Sequence, residues 1–159
     1  MKTNNKPTVT VALSAYNEEQ NIVPFLESVL KQETNNVILE KILIVSDGST
    51  DKTVERAKSL KSGLIEVRDY KERIGKSTRL NEIYSIIDSD YLVQTDADVI
   101  FADKNVIEKV IEVMLLEPKV EMCGGNTLPL ATKNFKERAV KSMFNTSVKL
   151  RAETREGRN

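Results

Sequence analysis

The 159-residue chain contains no histidine, a single cysteine (Cys123), and no apolar run that approaches the roughly 20 residues needed to span a bilayer. Each absence excludes a class of chemistry. One cysteine rules out a disulfide scaffold, and the lack of histidine rules out both a His-ligated zinc site and a histidine-based catalytic triad. Acid–base work therefore falls to carboxylates, lysine, tyrosine or a group from outside the chain. The first residues, MKTNNKPT, lack the apolar segment of a secretion signal, so the sequence reads as a cytoplasmic protein, soluble or peripheral to a membrane. Lys plus Arg (24) balances Asp plus Glu (24), which leaves no basic footprint for nucleic acid. The balance is uneven along the chain: residues 133–159 hold 8 basic and 3 acidic side chains, and residues 1–132 hold the remaining 16 and 21, or +5 against −5.

What is present is an alternation of strand-like and helix-like segments with short loops. A chain of this length fits one domain, and the alternation is the pattern of an α/β fold, a mostly parallel twisted sheet flanked by helices. Val9–Ser14 (VTVALS) reads as a first strand, and residues 20–32 follow with Ile22, Phe25, Leu26, Val29 and Leu30 at helical spacing. Pro24 is compatible with that helix because it falls in the first turn. Lys41–Ser46 (KILIVS) is a second strand, and Ser49 or Asp51 would cap a helix burying Val54, Ala57 and Leu60. Leu64–Arg68 is a short third strand, followed by a helix turning Leu80, Ile83, Tyr84 and Ile87 inward. Residues 90–95 make a fourth strand, and Asp103 would cap a fourth helix burying Val106, Ile107, Val110 and Met114 and stopping at Pro118. Val120–Asn126, around Cys123, reads as a fifth strand that buries the thiol. Residues 133–150 read as an amphipathic helix, with Phe135, Met143 and Phe144 on one side and Lys133, Lys136, Lys141 and Lys149 on the other.

Ligands in open α/β sheets bind beyond the carboxyl ends of the strands, near the point where strand order reverses. Three polar clusters fall at such ends: Ser14 to Glu18, Asp47 to Asp51, and Asp96-Ala97-Asp98. Asp96 and Asp98, two apart in extended chain, point to one side and can converge on a hard cation. Mg²⁺ takes only one or two protein carboxylates, at about 2.1 Å, and fills its other positions with water and substrate phosphate. Two exposed acids capping a turn is the structural alternative. Asp47 is less easily spent on capping than Ser49 or Asp51, which leaves its carboxylate free to accept an N–H from a ligand such as a pyrimidine ring. Lys76 in RIGKST is not part of a P-loop, because the Walker pattern needs glycine where Tyr70 stands. With Arg73 and Gly75 it instead marks a helix N-terminus suited to an anion. Tyr16, Tyr84 and Tyr91 read as packing residues.

These clusters, in this order, resemble the N-terminal half of family 2 glycosyltransferases of the GT-A fold, a Rossmann-like nucleotide-binding architecture. The stretches that carry the resemblance are VTVALSAYNEEQNI (9–22), ILIVSDGSTDKT (42–53), RIGKSTRLNEI (73–83) and YLVQTDADVIF (91–101). The resemblance implies inverting transfer of a sugar from a nucleotide diphosphate sugar, most commonly a UDP-sugar, to a saccharide or lipid-linked acceptor, assisted by Mg²⁺ or Mn²⁺. It implies that Ser14, Ala15 and Glu18 line the nucleotide pocket, that Asp47 binds the base, and that Arg73 and Lys76 lie near the base or diphosphate. It places Asp96 near the ribose or metal, and Asp98 on the metal itself. Such enzymes act in polysaccharide and cell-envelope synthesis.

The chain departs from that family beyond Asn126. It has no tryptophan, so the Gln-x-x-Arg-Trp motif of polymerising members is missing. The only later acids, Glu137, Glu153 and Glu156, match no general-base context. The expected organisation is a nucleotide-sugar-binding domain over 1–132 and a basic amphipathic segment over 133–159, with the acceptor half truncated or supplied elsewhere. The basic face would suit an anionic membrane, and the apolar face would equally suit a protein core. Two other functions remain open at this level: a phosphatase of the haloacid dehalogenase type with Asp96 as nucleophile and Asp98 as acid–base, and a nucleotide-sugar-binding module without turnover.

Overall fold

The structure is a computed structural model that describes residues 6–117 and 119–128. Its elements run β1 (Thr8–Ala15), α1 (Ile22–Leu30), β2 (Ile38–Asp47), α2 (Thr53–Ser59), β3 (Ile65–Tyr70), α3 (Lys76–Ile86), β4 (Tyr91–Gln94) and α4 (Val106–Leu116). The four strands pair in parallel in the order β3-β2-β1-β4, as the α/β pattern requires. The chain steps outward from β1 to β3 and then returns to the other side of β1. This reversal places a crevice at the carboxyl ends of β1 and β4.

β1 and β2 are central strands buried on both faces, which is why they read as near-continuous apolar runs. Strand alternation sends Val9, Val11, Leu13, Ile42 and Ile44 to one face, where they pack with Phe25 and Leu26 of α1, Ala57 of α2 and Ile107 and Ile111 of α4. Ala12, Leu43 and Val45 point to the other face, which Ile83 and Leu80 of α3 cover. Phe25 is fully buried and meets Phe101 edge-on at 6.2 Å between ring centroids. Burying a side chain of that size contributes about 1.5–3 kcal/mol, so these apolar stripes anchor the layers.

Four details depart from the sequence reading. The segment 120–126 forms no strand: Met122 is 88% exposed, and the Cys123 thiol is half-buried against the Val110 carbonyl at 3.3 Å. Apolar alternation alone supplies no pairing partner, and Gly124-Gly125 has no side chains to bury. Tyr84 lies on the exposed side of α3, its hydroxyl donating to the Gln94 side chain, while Arg79 takes a buried position. Asp103 does not cap α4. The helix starts after Asn105, and the Gln32 side chain, from the end of α1, accepts the Ile107 N–H at 3.2 Å and donates to the Asp103 carbonyl at 2.6 Å.

The first compact unit of the chain ends at Cys123, and residues 124–128 carry no helix or strand. The segment 133–150, with its expected amphipathic helix, lies outside the described residues. Among the described residues, no helix is long and apolar enough to cross a membrane.

Candidate functional site

An open cavity of about 250 Å³ sits at the carboxyl ends of β1, β2 and β4, lined by Ser14, Tyr16, Glu18, Asp47, Arg73, Lys76, Asp96, Ala97 and Asp98. Every site residue expected from the sequence lies on this wall except Ala15. The alternation of β1 turns Ala15 the other way, into the apolar core beneath, where it is 1% exposed.

The loop after β1 is held by the loop after β2. Asn17 adopts a left-handed backbone (φ 56°), a conformation asparagine tolerates better than most residues. From there its side-chain oxygen accepts the Thr50 N–H at 2.8 Å, and its own N–H reaches the Ser49 hydroxyl at 3.2 Å. The Glu18 N–H donates to the Thr53 hydroxyl at 2.7 Å, and the Glu19 N–H to the Asp51 carboxylate at 3.1 Å. Asp51 also accepts the Thr53 N–H at 2.9 Å, but it stands one residue before Lys52, the N-cap of α2, so neither it nor Ser49 is the cap the sequence suggests.

Asp47 closes β2, and its carboxylate is not free. Its oxygens accept the Ile74 N–H at 2.9 Å, the Gly75 N–H at 2.9 Å and the Arg79 Nε–H at 3.0 Å. Burial pushes this carboxyl up, but the backbone bonds from Ile74 and Gly75 and the Arg79 guanidinium outweigh it and hold it below the usual carboxylate range. Gly48, directly after it, has φ +73°, and a Cβ there would stand 2.9 Å from the Arg73 nitrogen. Glycine is thus required both for the turn and for the close approach of the 71–73 backbone. Gly75, at φ +99°, makes the sharp entry into α3 that aims its N–H at Asp47.

Arg73 leaves that loop over the ring of Tyr16, 3.8 Å from guanidinium carbon to ring centroid, a cation–π contact at the cavity rim. The sequence reads Tyr16 as a packing residue, whereas the structure sets it at the rim under Arg73. Its position two residues past a strand end, inside a polar cluster, was the available signal. Across the cavity, Lys76 Nζ pairs with Asp96 Oδ1 at 2.6 Å, and Asp98 stands exposed beside them.

Among the described residues, no group of three or more cysteine, aspartate or glutamate side chains lies close enough to cage a metal. Asp96 and Asp98 nonetheless suit a hard cation that shares its coordination with substrate phosphates, since Mg²⁺ and Mn²⁺ take carboxylate oxygen and such sites need about one or two protein ligands. With four carboxylates and two cations on one wall, the cavity is a poor site for a bare anion and a better one for an anion that arrives with a divalent cation.

The profile of glycosyl transferase family 2 matches residues 10–156. Poly-beta-1,6-N-acetyl-D-glucosamine synthase of Staphylococcus aureus is 32% identical over 120 residues, which are 74% of this chain and 28% of that protein. Among solved structures, the mannosyltransferase PcManGT of Pyrobaculum calidifontis, in complex with GDP-Man and Mn²⁺, superposes with a TM-score of 0.60 at 25% identity, covering 69% of this chain and 32% of its own. TarS 1-349 of S. aureus, in complex with UDP-GlcNAc, gives a TM-score of 0.58 at 18% identity over 79% of this chain and 38% of its own, a likeness of fold alone. The chain therefore spans under a third of the length of the curated relative it matches. The phosphatase reading finds no support in these relatives, and Asp96 follows the fourth strand and is held by Lys76. The sheet order, the clusters at its strand ends and the match over most of the sequence converge on one conclusion: this chain belongs to glycosyltransferase family 2, with the GT-A fold.

Proposed function

We propose that the chain is the donor-binding part of an inverting glycosyltransferase that holds a nucleotide diphosphate sugar, of which a UDP-sugar fits best, for transfer to an acceptor hydroxyl. The observation that carries this reading is the cavity at the reversal of strand order, where Ser14, Glu18, Asp47, Arg73, Lys76, Asp96 and Asp98 meet. A carboxylate kept ionised, such as Asp47, accepts but cannot donate, which suits the N–H of a uracil ring. Arg73 and Lys76 stand where they would neutralise phosphate oxygens. Asp98, with Asp96, would hold Mg²⁺ or Mn²⁺, whose chemistry is Lewis-acid stabilisation of charge on the departing diphosphate. For Asp96 to join, Lys76 must pass from its carboxylate to the incoming phosphates. The neighbour solved with GDP-Man and Mn²⁺ supports the donor class. The acceptor, saccharide or lipid-linked, and a peripheral contact of 133–150 with a cytoplasmic membrane surface rest on the sequence of that segment.

Calorimetric titration of UDP, GDP and dTDP with and without Mn²⁺ tests the reading. The expected result is Mn²⁺-dependent binding of UDP, weakened at least tenfold in Asp98→Ala. Absence of binding by every nucleotide with and without Mn²⁺ would overturn it, and binding that ignores both the metal and Asp98 would remove the metal role.

A further inference from the structure

Arg79 is the unexpected resident of α3: an arginine 5% exposed in a helix that otherwise buries only Ile83. Each of its three nitrogens is engaged. Nε donates to Asp47 at 3.0 Å, one terminal nitrogen to Glu82 at 3.1 Å, and the other to the Glu72 carbonyl at 2.9 Å. Its guanidinium carbon lies 3.7 Å above the centroid of the Tyr70 ring, and the Tyr70 hydroxyl in turn donates to Glu82. One side chain thereby joins the end of β2, the end of β3, the 72–75 loop and the second turn of α3. A buried ion is costly unless its partners satisfy it, and here the network does.

Resting on the nucleotide-binding reading above, we propose that Arg79 is a positioning residue of the donor site, which orients Asp47 toward the cavity and locks the loop that carries Arg73 and Lys76. A carboxylate offers about four lone-pair sites. Ile74, Gly75 and Arg79 occupy three of Asp47's, so a single acceptor position remains for a ligand, and the two bonds from Ile74 and Gly75 fix the backbone on which Arg73 and Lys76 stand. The device is local: Asp47 is bounded by Arg79 and the 74–75 backbone, with Glu82 and Tyr70 behind Arg79 and with Arg73 and Lys76 on the cavity side.

The test uses the full chain with Arg79→Met and Arg79→Lys, far-UV circular dichroism to establish folding, amide exchange at Ile74 and Gly75, and titration of UDP with Mn²⁺ between pH 5 and 8. Arg79→Met is expected to keep the fold, to lose exchange protection at Ile74 and Gly75, and to bind UDP at least tenfold more weakly. It is also expected to show a steeper pH dependence than the wild type, with binding falling further toward pH 5 as the unpaired Asp47 takes a proton. Arg79→Lys, which keeps the charge but not the fork, should recover the wild-type profile without the full affinity. If Arg79→Met does not fold, Arg79→Lys carries the test through exchange and affinity. Wild-type exchange and UDP affinity in a folded variant overturn the proposal while leaving the donor site intact. If the wild type binds no nucleotide, the functional reading fails by itself, and unchanged exchange at Ile74 and Gly75 then overturns the positioning role as well.

Discussion

Asp47 ends β2 and Asp98 lies in the turn after β4, and both line the same cavity, yet Asp47 is 2% exposed beneath three hydrogen-bond donors, whereas Asp98 stands in solvent. The first wall is built in advance, since a buried carboxylate without partners would cost several kcal/mol. The second is left to solvent at Asp98 and to the Lys76 pair at Asp96. The contrast separates two walls of one cavity: the β2 wall is held by the protein's own donors, and the β4 wall presents Asp98 to solvent with Asp96 paired to Lys76.

The largest effect should come from breaking the β2 wall. Asp47→Ala leaves the Ile74 and Gly75 N–H groups and the Arg79 Nε–H without their shared acceptor, Glu82 remaining as the carboxylate of Arg79, and is expected to cost about 3 kcal/mol in urea unfolding. A loss below about 1 kcal/mol would mean that the two walls are equally soft. Gly48→Ala comes next. It forces a side chain into φ +73° and a Cβ to 2.9 Å from the Arg73 backbone, and it should destabilise the protein by about 2 kcal/mol or more. A full-strength midpoint for this variant would show that the 71–73 loop can move away.

Acid sharpens the comparison further. The carboxyls of Asp47, Asp51 and Glu82 are all held below their ordinary values, by hydrogen bonds that outweigh burial at the two aspartates and chiefly by the Tyr70 hydroxyl at Glu82. The unfolded chain therefore binds more protons near pH 4, so their stabilisation is complete above the ordinary carboxylate range of about 4 and is lost as pH falls below it. The denaturation midpoint should hold from pH 7 to 5 and drop between pH 4 and 2, and a flat profile would deny the shifts. The smallest stability effect belongs to the open wall: Asp98→Ala should leave stability within about 0.5 kcal/mol while weakening Mn²⁺-dependent UDP binding.

The strands, the four helices of the first unit and the three polar clusters at strand ends were legible in the sequence because they are local. A period of two or 3.6 and the chemistry of a turn are written within ten residues. Six of the seven expected substrate-binding residues, with Asp98, meet in one cavity because strand ends in a parallel sheet share one edge. Ala15 failed by one step of the strand period, and the segment 120–126 failed because a strand needs a neighbour that its own sequence does not name. Cys123 is half-buried rather than enclosed for the same reason.

Composition and periodicity alone thus determined the class of fold, the edge of the sheet that bears the site and the residue types available for its chemistry. Tertiary structure decided the rest: that Tyr16 lies under Arg73 and that Lys76 occupies Asp96. It also decided that Asp47, which local reasoning left free, is held by an arginine 32 residues away. Those pairings join residues from different loops and helices, and a charge discloses its burial only when the elements around it have packed.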